Sequence, residues 1–402
     1  MLRSLFSGIS GLRAHQTMMD VVGNNIANVN TTGYKASSTI FEDTLSQMMR
    51  ASGAPSGTVG GVNPAQIGLG VQLGAIDVNF SQGSAQSTGR ATDLMIEGDG
   101  FFTLRNGTDQ VYTRAGDFTF DTSGKLVNSE GMYVQGYPAA NGVVNTNGAI
   151  GDITLPAGSL IPPVPSTSVT VAGNLPSDLA LSSVQTLGPT AYDEAGNAHS
   201  LIVTLTKSAS DTFDVEVDDT TGGVTTVLGT GQATFNPDGT LATNTDPTFT
   251  LTATGPTVTV SLAGLTEYGG PKTVAVTDSD GSAAGSLQQF QISADGTILG
   301  LFSNGKKLAM AQVALANFNN PQGLEKIGNT SYRQSPNSGL AQVGTPQSGG
   351  RGELLASSLE MSNVDLAQEF TSLIIAQRGF QANSKVITSS DEMLQDLVNI
   401  KR

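Results

Sequence analysis

The two ends of the chain repeat apolar positions at alternating steps of three and four. Near the start the rhythm runs through Leu2, Leu5, Ile9, Leu12, Gln16, Met19, Gly23 and Ile26. Near the end it runs through Leu366, Phe370, Leu373, Gln377, Phe380, Ser384, Ile387, Asp391, Leu394 and Val398. Such spacing keeps one stripe of an α-helix turned toward a partner. It predicts a long helix at each end and makes the apolar members of both stripes the candidate assembly contacts. Ser362-Asn363-Val364-Asp365 offers a capping hydroxyl and an acid for the second helix, and Asn30-Thr31-Thr32-Gly33 stops the first. Both stripes are interrupted by polar or glycine positions, so a lone pair is marginal. The ends are expected to be loose in the monomer and to order when copies pack side by side.

Between the ends the period falls to two. Gly98-Asp99-Gly100-Phe101-Phe102-Thr103-Leu104 leads into a strand, Asn106-Gly107 marks a hairpin turn, and Val111–Arg114, Phe118–Phe120 and Lys125–Val127 continue a meander. Phe290–Ile292, Ile298–Phe302 and Gln312–Phe318 bring further strands. Prolines 156, 162, 163 and 165 open a second β stretch, and Gly269-Gly270-Pro271 interrupts its far end. The expected fold is mainly β with α-helical termini. Residues 1–34 and 362–402 form a coiled-coil-like helical core, and 35–75 a linker. Residues 76–150 with 287–361 form a first β domain, into which 151–286 is inserted as an outer β domain. Gly53, Gly57, Gly60 and Gly61 sit in a Gly/Ser-rich stretch between Met49 and Gln66 that reads as a hinge.

Composition narrows the function. Cysteine is absent, which excludes disulfides, thiolate metal sites and a Cys nucleophile. No apolar run approaches the roughly 18 residues of a membrane span, and no secretory h-region follows Arg3. Of the net charge of −15, residues 151–287 supply −12: 14 acids against Lys207 and Lys272. With no basic stripe, nucleic-acid binding is disfavoured, and the acidity reads as a solvated surface.

Candidate chemistry is sparse. His15 falls off the helical stripe, where it is expected to face a flank, and no nucleophile-elbow motif accompanies it or His199. Asp278-Ser279-Asp280-Gly281 opens like a calcium loop but lacks the later bidentate Glu. Glu216 and Asp218 share a strand face without a partner pocket. Gly98-Asp99-Gly100 precedes strands rather than a helix, so it is no phosphate loop. A secreted glycan-active enzyme or adhesin needs aromatics around paired carboxylates, and here aromatics are 5% with no Trp. These readings assign no catalytic residue, cofactor or metal.

Longer motifs go further. Gly23-Asn24-Asn25-Ile26-Ala27-Asn28-Val29-Asn30-Thr31-Thr32-Gly33-Tyr34-Lys35 resembles the signature of the rod and hook proteins of the bacterial flagellum. So do Ser362-Asn363-Val364-Asp365-Leu366-Ala367 and Ala376-Gln377-Arg378-Gly379-Phe380-Gln381-Ala382-Asn383. Asn24, Asn25, Asn28, Gly33, Asn363, Asp365, Gln377, Arg378 and Asn383 are the motif positions. Ala191–His199 and Phe235–Leu241 in the insert resemble hook proteins; Phe41-Glu42-Asp43 and the segment to Gly68 resemble distal rod proteins, the alternative member. The resemblance implies a subunit exported through the flagellar type III apparatus. It polymerises helically with itself into a flexible curved extracellular tube, the joint between rod and filament. Its partners are the distal rod protein, the hook cap and the hook–filament junction proteins.

Overall fold

The computed structural model describes residues 2–55, 57, 60–140, 142–155, 158, 160–221, 225–252 and 255–399. The chain divides into two compact units, one of residues 1–156, 290–299 and 308–402, the other of 157–289 and 300–307.

In the first unit, helix α1 (Leu2–Ala27) and helix α2 (Leu366–Asn399) run antiparallel. Gly8 lies beside Ile387 near one end of the pair, and Asn25 reaches Glu369 near the other. The cap of α2 is Asp365, whose Oδ1 accepts from the N–H groups of Ala367 and Gln368 at 2.8 and 3.2 Å. The Ser362 hydroxyl instead accepts from Val364 N, outside the helix. Replacing Asp365 by Ala removes the partner of two orphan donors. It is expected to lower the stability of this unit by about 1 kcal/mol in a urea titration.

The segment expected as a linker is a β ribbon. Ser37–Asp43 pairs antiparallel with Val71–Val78, and farther out Ser46–Arg50 pairs with Ala65–Gly68. The turn composition of 52–61 signals a loop, but the β-branched and apolar residues on either side (Ile40, Phe41, Val71, Leu73, Ile76) favour strands. Gly53 closes the ribbon by exchanging two backbone bonds with Val62 at 2.9 and 3.0 Å, while Gly57 and Gly60 are exposed and open.

The β domain of this unit is built on Phe101–Asn106, paired with Asp109–Thr113 on one side and with Tyr133–Ala140 on the other. Its core takes Phe102, Leu104, Val111, Phe118, Val134, Ile298, Val313 and Leu315, among others. Residues 151–155 belong here rather than to the insert. Asp152 accepts from Arg105, Lys125 and Gln135, and Ile153 and Leu155 join the core.

The second unit contains two sheets closed over one core. Thr248–Thr250, Thr257–Thr266, Ser168–Asn174 and Ala275–Ser279 make the smaller, with Ser168–Asn174 parallel to Thr257–Thr266. Ala198–Ala209, Thr212–Asp219 and Thr226–Phe235 dominate the larger. Alternation is strict: Phe213, Val215 and Val217 are buried while Asp214 and Glu216 are exposed, so the acids lie on the solvent side. The unit also takes in 300–307, because Ser303 N and Asn304 Nδ2 donate to Ser286 O and Ala283 O.

Candidate assembly surface

The helix pair closes through small residues. Gly8, Gly11, Ala14, Val22 and Asn25 of α1 and Ala376 and Ser390 of α2 are buried. A Cβ on Gly11 would stand 2.7 Å from Asn383 Nδ2, and one on Gly379 2.4 Å from His15 Nε2. Glycine at these sites lets the backbones approach closely. His15 is therefore set into the interface, with its ring also edge-on to Phe41, rather than facing a flank.

This close approach pushes the bulky side chains outward. Of the stripe read from sequence, Leu5, Leu12, Met19, Ile26, Leu373, Ile387 and Leu394 are half-buried. Ile9, Leu366, Phe370 and Phe380 are exposed, and the side chain of Val398 lies outside the described residues. Phe6, Ile374, Ile375, Val386 and Met393 are exposed as well, Phe6 by 68%. The stripe reaches the helix contact at Ile387, beside Gly8, but periodicity weighs apolar residues and ignores the glycines that set the contact face. Both helices thus leave large apolar side chains exposed along their length.

Where α1, α2, the ribbon and the β domain meet, the motif residues form a polar node. Asn25 Nδ2 donates to Ser37 O and Glu369 Oε1 at 2.8 and 3.0 Å, and its Oδ1 accepts from Tyr34 Oη and Ser37 N. Asn28 Nδ2 donates to Asn24 O and Oδ1, tying the last turn of α1. Asn363 accepts from Ala36 N and donates to Asn79 O and Ser81 O. Gly33 N donates to Glu360 O. Asn383 Nδ2 donates to Gly379 O, whereas Gln377 and Arg378 are exposed, with Arg378 Nη1 bonded to Gln381.

At the centre of the node lies a buried charge cluster. Glu360 Oε1 accepts from Lys35 Nζ at 2.6 Å and from Gly83 N at 2.9 Å, and Arg114 Nη1 stands 3.6 Å from Oε2. Burial pushes the Lys35 ammonium below the usual lysine range, opposed by the Glu360 carboxylate, and pushes the Tyr332 hydroxyl well up. Glu360 and Arg114 were not singled out from sequence. The available signal was a lone acid between Leu359 and Met361 in a strand.

The other candidates are engaged locally. His199 Nδ1 pairs with Asp219 at 2.8 Å, and Nε2 stands 3.7 Å from Asp193. Asp280 accepts from Thr167 N and Ser168 N, so its carboxylate closes a strand end. Among the described residues no helix is long and apolar enough to cross a membrane.

The chain matches four family models in order along its length. Residues 5–35 match the flagella basal body rod protein, and 95–175 the D1 domain of the flagellar hook protein FlgE/F/G. Residues 185–282 match the D2 domain of the flagellar basal body protein FlaE, and 355–400 the C-terminal part of the flagellar basal body rod FlgEFG protein. It is 37% identical to flagellar hook protein FlgE of Treponema pallidum, covering all of both chains. It is 33% identical to FlgE of Salmonella typhimurium over 99% of this chain and 100% of that one. The flagellar basal-body rod protein FlgG of Bacillus subtilis is 34% identical over the whole of both. The crystal structure of Helicobacter pylori flagellar hook protein FlgE2 shares the fold, with a TM-score of 0.55, 15% identity, and coverage of 69% of this chain and 100% of that one. With a full-length hook relative at the highest of these identities and both β domains matched, the chain belongs to the flagellar hook protein FlgE family, structural subunits of the bacterial flagellum.

Proposed function

We infer that the chain polymerises helically with itself into the flagellar hook, a curved tube that acts as a universal joint between rod and filament. The observation that carries this is the apolar surface displaced outward by the small-residue helix pair. Among the described residues it has no partner in one copy, and it finds one among neighbours. The helices supply apolar contacts that resist twisting. The second unit, acidic and polar on its exposed strand faces, makes weaker contacts that slide as the axis bends. No catalytic step enters this reading.

The distal rod protein, hook cap and hook–filament junction proteins are the expected partners at the ends of the polymer, and the type III apparatus its export route. Gly53, Gly57, Gly60 and Gly61 cluster at the outer end of the ribbon, where bending is absorbed. Replacing all four by Ala is expected to stiffen hooks, and unchanged curvature in electron micrographs would remove their hinge role.

Concentrating the purified protein tests the main reading. Curved tubes are expected in electron micrographs. Straight tubes would favour the distal rod reading, and particles that stay monomeric at high concentration would overturn assembly altogether.

A further inference from the structure

A groove of about 400 Å³ runs between α1 and the ribbon, lined by Phe6, Ile9, Ser10 and Arg13 on the helix and by Val71 and Leu73 on the strand. Its floor is small and fixed: Ser10 Oγ accepts from Val71 N and donates to Ser7 O. Phe6 and Leu73 are exposed apolar walls, and Arg13 at one end makes no ion pair among the described residues. The groove thus has a bulky end, a small middle and a cationic end, along one face of α1.

Among the described residues, α2 carries a row with the complementary order. On α2, Leu366, Phe370 and Ile374 recur every four residues on one face, 40%, 50% and 57% exposed. Asp365 stands at the N-terminal end of that row. Its Oδ1 caps the helix, and its Oδ2 makes no bond among the described residues. An antiparallel alignment sets Ile374 against Phe6, the Phe370 ring over Ser10, and Asp365 beside Arg13.

One copy cannot make this contact with itself. Within a copy Ser4 bonds to Ser390 and Gly11 packs on Asn383, so Ser10 is level with the helix turn at residue 384. Phe370 lies fourteen residues away along α2, roughly 21 Å at 1.5 Å per residue. We propose that the α1–ribbon groove of one subunit receives the Phe370–Ile374 row of a second copy, with Arg13 pairing to that copy's Asp365. Neighbouring copies joined this way are displaced by about 21 Å along the helix axis. This inference rests on the hook-subunit reading.

The experiment is a double-mutant cycle on the critical concentration for polymerisation. Asp365→Asn keeps the cap, because Asn caps as well as Asp, and Arg13→Gln changes an exposed side chain. Each is expected to raise the critical concentration about fivefold, and the double variant by no more than either alone. The absence of native cysteine allows a second readout. A chain carrying Ser10→Cys and Phe370→Cys is expected to form intermolecular disulfides in the polymer and none in dilute monomer. Single variants without effect, or effects that multiply in the double variant, would overturn the pairing while leaving the hook-subunit reading intact. So would disulfides that form instead between Ser10→Cys and Met393→Cys. Wild-type protein that forms no polymer would overturn both.

Discussion

Replacing Glu360 by alanine is expected to destabilise the first unit by about 3–5 kcal/mol. The carboxylate is the only acid paired with Lys35 and Arg114 among the described residues, and all three side chains are buried. Removing it leaves Lys35 out of water with no paired acid and Arg114 with only the more distant Asp99, the costly way to break a buried pair. It also leaves Gly83 N without its acceptor. A urea titration read by hydrogen exchange on the first unit measures the loss. Glu360→Gln keeps an oxygen for Gly83 and Lys35 and is expected to lose less. The pH dependence has a definite sign. Burial holds the folded-state pKa of Lys35 below its unfolded value near 10.4. The unfolded chain then binds more protons between those values, so stability rises with pH across that window. Without Glu360 the depression deepens, and the deficit of the alanine variant is expected to shrink as the solution is made alkaline. A deficit that is flat or grows toward pH 10 would show that Lys35 is not the group left uncompensated.

Gly33→Ala is expected to cost about 2–4 kcal/mol. Gly33 has φ +67°, where an L-residue loses roughly 1–2 kcal/mol. A Cβ there would also stand 2.5 Å from Ala115 N and 2.8 Å from Arg114 C, main-chain atoms that yield only by moving a strand end. The two causes separate with a second variant. Asn tolerates the left-handed region but carries the same Cβ, so Gly33→Asn is expected to be about as damaging as Ala. If Asn were nearly neutral, the conformation alone would be the requirement. Because Gly33 N also bonds to Glu360 O, both variants are expected to weaken protection of the amides around Tyr34 and Lys35.

These two positions show which parts of the molecule were legible in the sequence. Period-two alternation and turn residues placed the β domains, and steps of three and four placed both helices, because those signals are carried by large apolar side chains. The motif block containing Gly33 also stood out, and the structure ties most of it into one node. What did not stand out is governed by what is small or rare. Gly8, Gly11 and Gly379 set the helix contact and contribute nothing to an apolar count. Glu360 is one charge in a short strand, and its meaning depends on Lys35, 325 residues earlier in the chain. The ribbon was hidden by its Gly/Ser-rich tip, which outweighed the strand formers on both sides.

The separation of Lys35 from Glu360 has a consequence for how the molecule comes into being. A chain made from its N-terminus presents Lys35 long before the matching anion, Glu360, follows. Until then the opening third has a strong reason to remain hydrated, and the closure entropy of so long a loop adds to the delay. The pair can close only once residue 360 is present, so a chain truncated before it leaves Lys35 without that counter-charge. The buried charges thus make the order of the two ends interdependent, since neither ion is neutralised until the other is in place.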